Sequence, residues 1–210
     1  MSEYPKIQTI WKRQSEKPCR ILEGQFSEPA FEYLQHNLWV FTEKVDGTNI
    51  RIMWDGTEVI FGGKTDNAQI PAFLVARLQT LFLTSSSKER LREVFPSGAI
   101  LYGEGYGARI QKGGGNYKAD GVDFVLFDVR VGTWWLERPN VEDIAANLSL
   151  QVVPVIGQGT LHELVDRVKQ GIISTWGDFP AEGIVARPTT ELQTRSGHRI
   201  ITKLKAVDYR

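Results

Sequence analysis

Apolar runs rich in β-branched and aromatic residues recur along this chain without a regular helix between successive ones. They lie at Leu38–Thr42, Asn49–Trp54, Thr57–Phe61, Ala99–Gly103, Phe124–Val129, Gly183–Arg187 and Arg199–Lys205. Such runs suit the pleated, half-buried surface of a strand. A parallel sheet needs a long crossover, usually a helix, between strands. Here helical patterning comes only at irregular intervals, so the chain is expected to form an α+β fold of mainly antiparallel sheets with flanking helices. Asp55-Gly56 reads as a two-residue hairpin turn between two of the runs. Pro71–Leu83 carries apolar residues at helical spacing. In SSSKERLREVF, Ser86 and Glu89 read as a capping box, and in NVEDIAANL, Asn140 reads as an N-cap. TLHELVDRVKQG has Thr160 and Glu163 as a further capping box and Gly171 as its stop.

A chain of 210 residues can bury a core without covalent staples. Its single cysteine, Cys19, permits no intrachain disulfide and fits a reducing compartment, so a cytoplasmic location is expected. The 25 basic residues balance 25 acidic ones, which argues against a broadly basic coat and leaves room for a local basic groove. The charged opening MSEYPKIQTIWKRQSEK lacks the apolar stretch of a secretory signal, and no apolar run reaches membrane-spanning length. No membrane partner is therefore expected. No repeat or obvious linker breaks the chain, and KGGGNY, Lys112–Tyr117, reads as its most flexible loop.

Lys44 stands in FTEKVDGTNIRIMWDG, between two strand-like runs and close to Glu43 and Asp46. A free lysine has a pKa of ~10.4, so only about one in a thousand is uncharged at neutral pH. A nucleophilic lysine needs desolvation, nearby cations or a bound metal. In ITKLK, Lys203 and Lys205 are two apart and share one face if the segment is a strand. Converging ammonium groups suit a polyphosphate, whereas the plainer alternative is charge guarding an exposed strand edge. In PAEGIVARP, Glu182 opens an apolar strand and is expected to share a face with Ile184 and Ala186. Its carboxylate suits a metal ion or a sugar hydroxyl, or is simply a strand-end glutamate in water. Glu104 lies among Gly103, Gly105 and Gly107, a run poor for packing and good for a ligand-facing backbone. In FVLFDVR, Phe127 and Asp128 are expected on opposite faces, with Phe127 suited to base stacking or to ordinary core.

In this order, KVDGTN at Lys44, LYGEGYG around Glu104, FVLFDV around Phe127, EGIVAR at Glu182 and ITKLK at Lys203 resemble the motifs of the covalent nucleotidyltransferases. That superfamily comprises ATP-dependent DNA and RNA ligases and mRNA capping enzymes. DNA ligases and capping enzymes usually carry arginine two residues after the motif glycine. Thr48 and Asn49 stand here instead, the GTN typical of the RNA ligase 2-like branch, and GARIQKGGGNY resembles that branch too. The resemblance runs from about Phe41 to Lys205.

What the resemblance implies is a nucleotidyltransferase (adenylation) domain with an ATP-grasp-like ligase core, working as a monomer with ATP and Mg²⁺ or Mn²⁺. Lys44 would attack the α-phosphorus of ATP to form lysyl-AMP, pass AMP to a 5′-phosphate, and let a 3′-hydroxyl displace it. The partners would be RNA strand ends or a nicked duplex. Lys203 and Lys205 would neutralise the α-phosphate. Glu43, Val45 and Phe127 would bound the adenine, Glu43 by hydrogen bond and Phe127 by stacking. Glu104 and Glu182 would hold the ribose or the metal, and Asn49 the nucleotide or the RNA. Gln111 and Lys112 would serve RNA, with Arg109, Lys118 and Arg187 as further phosphate contacts. The role of Asp46 varies within the family and stays open.

Two departures stand out. Lys64, in GGKTDNAQIP, replaces the arginine usual after the first hairpin, and a lysine offers a point charge rather than a bidentate fork, so its contact, to AMP or to the strand end, is expected to be weaker or different. Arg210 lies five residues past Lys205, where the family continues into a helical or OB domain, so a single nucleotidyltransferase domain over 1–210 with neither is expected. A minimal DNA ligase and a nucleotide-bound RNA-binding module that no longer ligates are the alternatives.

Overall fold

The structure is a computed structural model that describes residues 3–209. In chain order its strands are β1 (Gln8–Thr9), β2 (Trp11–Arg13), β3 (Ile21–Phe26), β4 (Trp39–Lys44), β5 (Thr48–Trp54), β6 (Val59–Gly62), β7 (Ala99–Gly107), β8 (Val122–Val131), β9 (Trp134–Trp135), β10 (Gln151–Val152), β11 (Val155–Gly159), β12 (Gly183–Pro188) and β13 (Thr202–Lys205). The helices are α1 (Pro29–Tyr33), α2 (Ala72–Phe82), α3 (Ser85–Val94), α4 (Gly114–Tyr117), α5 (Arg138–Asn147) and α6 (Leu161–Gln170). The chain divides into two compact units, one of Met1–Pro5 with Asp46–Val153 and one of Lys6–Val45 with Pro154–Arg210. The boundary falls inside KVDG. The expected α+β class holds, and the sheets are mainly antiparallel, with only the short β1–β13 and β8–β10 pairs parallel among the described residues. Among the described residues no helix is long and apolar enough to cross a membrane.

The unit holding Lys44 is built on a five-stranded sheet of order β1-β13-β12-β4-β11. Trp39 and Phe41 of β4, Ile184 and Ala186 of β12 and Leu204 of β13 lie on one face and pack with Leu161, Leu164, Val165 and Val168 of α6. The capping box of α6 is complete. Thr160 accepts from the Glu163 amide, the Glu163 carboxylate accepts from the Thr160 amide, and Gly171 ends the helix at φ 91°.

The other unit has a sheet of order β10-β8-β7-β5-β6, with β9 on β8. Ile50, Ile52, Leu101, Phe124, Leu126 and Val129 face a core completed by Leu74, Leu78 and Phe82 of α2, Leu91 of α3 and Val141 of α5. Gly103 and Gly105 of LYGEGYG make room for this core. A Cβ on Gly103 would lie 2.2 Å from the Phe124 ring, and one on Gly105 would lie 2.5 Å from Leu74. The large side chains opposite take the space that β7 leaves.

Several local expectations change. Trp54 pairs with Val59, so Asp55–Glu58 forms a four-residue loop, closed by the Asp55 carboxylate accepting the amides of Thr57 and Glu58. The cap of α3 is Thr84, accepting from the Ser87 amide, and not Ser86. Helix α5 starts before Asn140, with Glu137 at the N-cap and a proline in its first turn. The last strand begins at Thr202, while Arg199 bridges Gln193 and its guanidinium pairs with Glu191 at 2.6 Å. KGGGNY is not loose. It contains α4, and a Cβ on Gly114 would lie 2.1 Å from the Gly107 carbonyl oxygen.

Candidate active site

Lys44 is the last residue of β4, an interior strand. Gly183 pairs with Lys44 on one side and with Lys205 on the other. The two lysines therefore stand on the same sheet face, flanking a residue without a side chain. One step along, Val185 pairs with Thr42 and Lys203, which places Lys203 on that face as well. Strand β13 is paired with β12 on one side and, at Thr202 and Lys203, with β1 on the other, so Lys203 does not guard an open edge.

Glu182 lies just before β12 and turns toward this lysine face. Its Oε2 lies 2.6 Å from Lys44 Nζ and its Oε1 lies 2.7 Å from Lys205 Nζ. Ile184 and Ala186 point into the core instead, so the expected shared face is not kept. The strand ladder begins only at Gly183, and alternation does not extend back to Glu182. Gly183 is a steric requirement, since a Cβ there would lie 2.2 Å from the Leu204 carbonyl oxygen.

Glu43 occupies the opposite face of β4, in register with core residue Ile184, and is 2% exposed. Its carboxylate accepts from Ser174 Oγ at 2.6 Å, the Thr175 amide at 2.8 Å and Thr175 Oγ1 at 2.9 Å. These bonds tie the segment after α6 to β4. Ser174 and Thr175 were not singled out from the sequence, where a Ser-Thr pair in a loop carries no pattern. Val45 is buried as well.

In the other unit the sheet face away from the helices carries Asn49 and Arg51 of β5, Tyr102 and Glu104 of β7, and Phe127 and Asp128 of β8. Asn49 pairs with Glu104, and Arg51 pairs with Tyr102, which pairs with Asp128. The Asn49 Oδ1 is buried and has no hydrogen-bond partner among the described residues. The register of β7 against β8 shifts beside Phe127, with Gly103 opposite Leu126 and Tyr102 opposite Asp128. This bulge explains why Leu126 and Val129, three apart, both reach the core. It puts Phe127 and Asp128 on one face, contrary to the expected alternation. Tyr4 touches both, its hydroxyl donating to Asp128 Oδ2 and its ring lying 5.1 Å from that of Phe127. No spacing in the sequence pointed to Tyr4.

Gln111 Nε2 donates to the Gly47 carbonyl at 3.2 Å, so the GARIQK segment touches the loop that follows Lys44. Arg109, Lys112 and Lys64 are exposed. Lys118 is 2.7 Å from Asp123, which also pairs with Arg77 of α2. Burial pushes the Asp123 carboxyl up, but the bonds from Arg77, Lys118 and the Phe124 amide outweigh it and hold the group below the usual aspartate value. Arg187 is 5% exposed and faces Glu191 at 3.9 Å, an interior position unsuited to an RNA phosphate.

The mainly antiparallel sheets with few helices match those of RNA ligase structures, a nucleotidyltransferase-type fold. The chain belongs to the RNA ligase family, whose model matches residues 37–205. Solved structures of Naegleria gruberi RNA ligase are similar to it. A variant with AMP and Mn superposes with a TM-score of 0.66 at 17% identity, covering 86% of this chain and 53% of that one. Another, with ATP and Mn, gives 0.67 at 17%, covering 99% and 58%. The enzyme with PPi gives 0.66 at 18%, covering 98% and 62%. The chain thus spans between half and two thirds of those structures. No curated protein matches the sequence.

Proposed function

We propose that this chain is an ATP-dependent RNA ligase acting through lysyl-AMP. The observation that carries the reading is Lys44 at the end of an interior strand, with Glu182 bridging it to Lys205 at 2.6 and 2.7 Å. Lys44 Nζ loses a proton and attacks the α-phosphorus. The bond to the bridging oxygen breaks and pyrophosphate leaves. AMP then moves to an RNA 5′-phosphate, and a 3′-hydroxyl attacks that end and releases AMP. Negative charge gathers on the phosphoryl oxygens in each transition state, and fixed cations lower that energy most. Lys203 and Lys205 suit this task, because they project from an ordered strand beside the nucleophile.

The adenine and ribose contacts assigned to Glu104, Phe127 and Asn49 rest on the resemblance, supported by their shared sheet face. The adenine contact of Glu43 likewise rests on the resemblance, and its carboxylate holds Ser174 and Thr175. Lys64 contacts a phosphate of the nucleotide, and Gln111 and Lys112 contact RNA. Among the described residues no group of three or more His, Cys, Asp or Glu side chains is placed to hold a metal. That suits Mg²⁺, which usually takes one or two carboxylates and completes its shell with phosphate and water. The resemblance assigns the ion to Glu104, which is paired with Asn49 and its unpartnered oxygen, or to Glu182. Bound there, the ion would withdraw charge from the phosphates. The named relatives were solved with AMP, ATP or PPi, and two of them with Mn, which supports the same choice of cofactors. The chain's single cysteine supports a cytoplasmic setting.

The test is incubation with α-labelled ATP and Mg²⁺, followed by denaturing electrophoresis and by sealing of nicks with RNA or DNA 3′-ends. An acid-labile adduct that disappears in Lys44→Ala, with RNA preferred at the 3′-end, is expected. Labelling that persists in Lys44→Ala overturns the reading. An adduct with no sealing supports the RNA-binding alternative, and preference for a DNA 3′-end supports the DNA ligase.

A further inference from the structure

Arg51 is a charged residue in the middle of the apolar run IRIMW. It lies on β5, between β6 and β7, and is 1% exposed. Burying a guanidinium is costly, and an apolar side chain of similar volume often serves stability as well or better. The cost here is not fully offset, because Nη1 is buried without a hydrogen-bond partner among the described residues. What the guanidinium holds is the turn that carries Lys64. Nε donates to the Gly63 carbonyl at 2.7 Å, and Nη2 pairs with Asp66 Oδ1 at 2.9 Å. These acceptors lie one residue before Lys64 and two residues after it.

The turn needs such a hold. It follows Gly62-Gly63, a pair with little intrinsic preference for one conformation. Lys64 is exposed, and its long side chain finds a fixed place only if its backbone is fixed. Gly62 also makes room for the guanidinium, since a Cβ there would lie 3.0 Å from Nη2. On the far side, the Asp66 amide donates to Glu3 Oε1 at 3.0 Å, and the Ala68 amide closes onto the Thr65 carbonyl at 3.1 Å. The loop is gripped at both ends, and Arg51 is the one buried charge in that grip.

We propose that Arg51 is a positioning residue for Lys64, fixing the backbone from Gly63 to Asp66 so that the lysine meets the nucleotide phosphate in one place. The planar fork missing at position 64 is thereby present beneath it, acting on the protein's own turn. The inference rests on the reading of Lys64 as a nucleotide ligand.

The experiment is a double-mutant cycle. Arg51→Met, Arg51→Lys and Asp66→Asn are each made with Lys64 intact and with Lys64→Ala. KM for ATP and kcat of lysyl-AMP formation are measured beside the melting temperature. With Lys64 present, Arg51→Met and Asp66→Asn should raise KM about fivefold or more, and in the Lys64→Ala background less than about twofold, as expected for coupled neighbours. Arg51→Lys should not rescue, because an ammonium cannot span both acceptors. Asp66 is half exposed, so Asp66→Asn carries the test if Arg51→Met does not fold. Equal factors in the two backgrounds, or full rescue by Arg51→Lys, would overturn the proposal. A Lys64→Ala enzyme with unchanged KM would instead remove Lys64 from the nucleotide site, and that result is seen before any Arg51 variant is considered.

Discussion

Glu43 and Lys44 are consecutive in β4 and serve opposite faces of the same sheet. The glutamate is 2% exposed and takes three hydrogen bonds from Ser174 and Thr175. The lysine side chain is 21% exposed and meets Glu182 at 2.6 Å. The pleat puts successive residues on opposite sides. A nucleophile at the strand's end can therefore be presented on one face while its neighbour is locked down on the other.

Removal of Glu43 should act on that anchor. Glu43→Ala leaves the buried Ser174 hydroxyl without its acceptor, at a cost of about 1–3 kcal/mol, and frees the amide and hydroxyl of the exposed Thr175 to water. Chemical denaturation should show a marked loss, and protease cleavage near Ser174 should quicken. Unchanged stability would mean that water replaces the carboxylate without loss.

Lys203→Ala and Lys205→Ala test the phosphate face. Each should slow lysyl-AMP formation by about 10²-fold or more, the scale set by loss of one preorganised charge at a transition state. The melting temperature should move by only a few degrees, because both side chains are partly exposed. Near-normal adenylation would return these lysines to a structural role.

Gly103→Ala should destabilise the fold by about 1–3 kcal/mol or more, as overpacking does. Its Cβ would approach both the Phe124 ring at 2.2 Å and the Val125 carbonyl oxygen at 2.4 Å, and the backbone atom cannot easily move. Gly115→Ala is the control, since a Cβ there meets nothing within 4 Å. Denaturant midpoints of the two variants should differ clearly.

Asp123 offers a pH test. Its carboxyl is held below the usual aspartate value of 3.8. A carboxyl depressed by folding stabilises the protein above its unfolded pKa, and that contribution is lost as pH falls through the folded value. Asp123→Asn should thus lower the melting temperature at pH 7, leaving Arg77 and Lys118 without their shared anion. The gap from the parent should narrow below about pH 4, where the unfolded carboxyl takes up its proton. A gap independent of pH would remove the ion pairs from the explanation.

Much of this protein was legible in its chain because strand periodicity and motif order are local properties. The strands beside Lys44 and Glu182, the common face of Lys203 and Lys205 and the capping box of α6 all follow from residues a few positions apart. Partners distant in sequence were not legible. The Glu182 bridge joins residues 138 positions apart, and the bonds of Glu43 to Ser174 and Thr175 span 131 and 132. The bulge at Phe127 and the space-making glycines of β7 likewise depend on which side chain arrives from another strand or helix. Local sequence determined which residues share a face wherever a strand runs without a bulge, as with Lys203 and Lys205, since alternation is a property of the extended backbone. Only the tertiary structure decided which of those faces became core and which charges met, because burial and ion pairing depend on what the rest of the chain brings alongside.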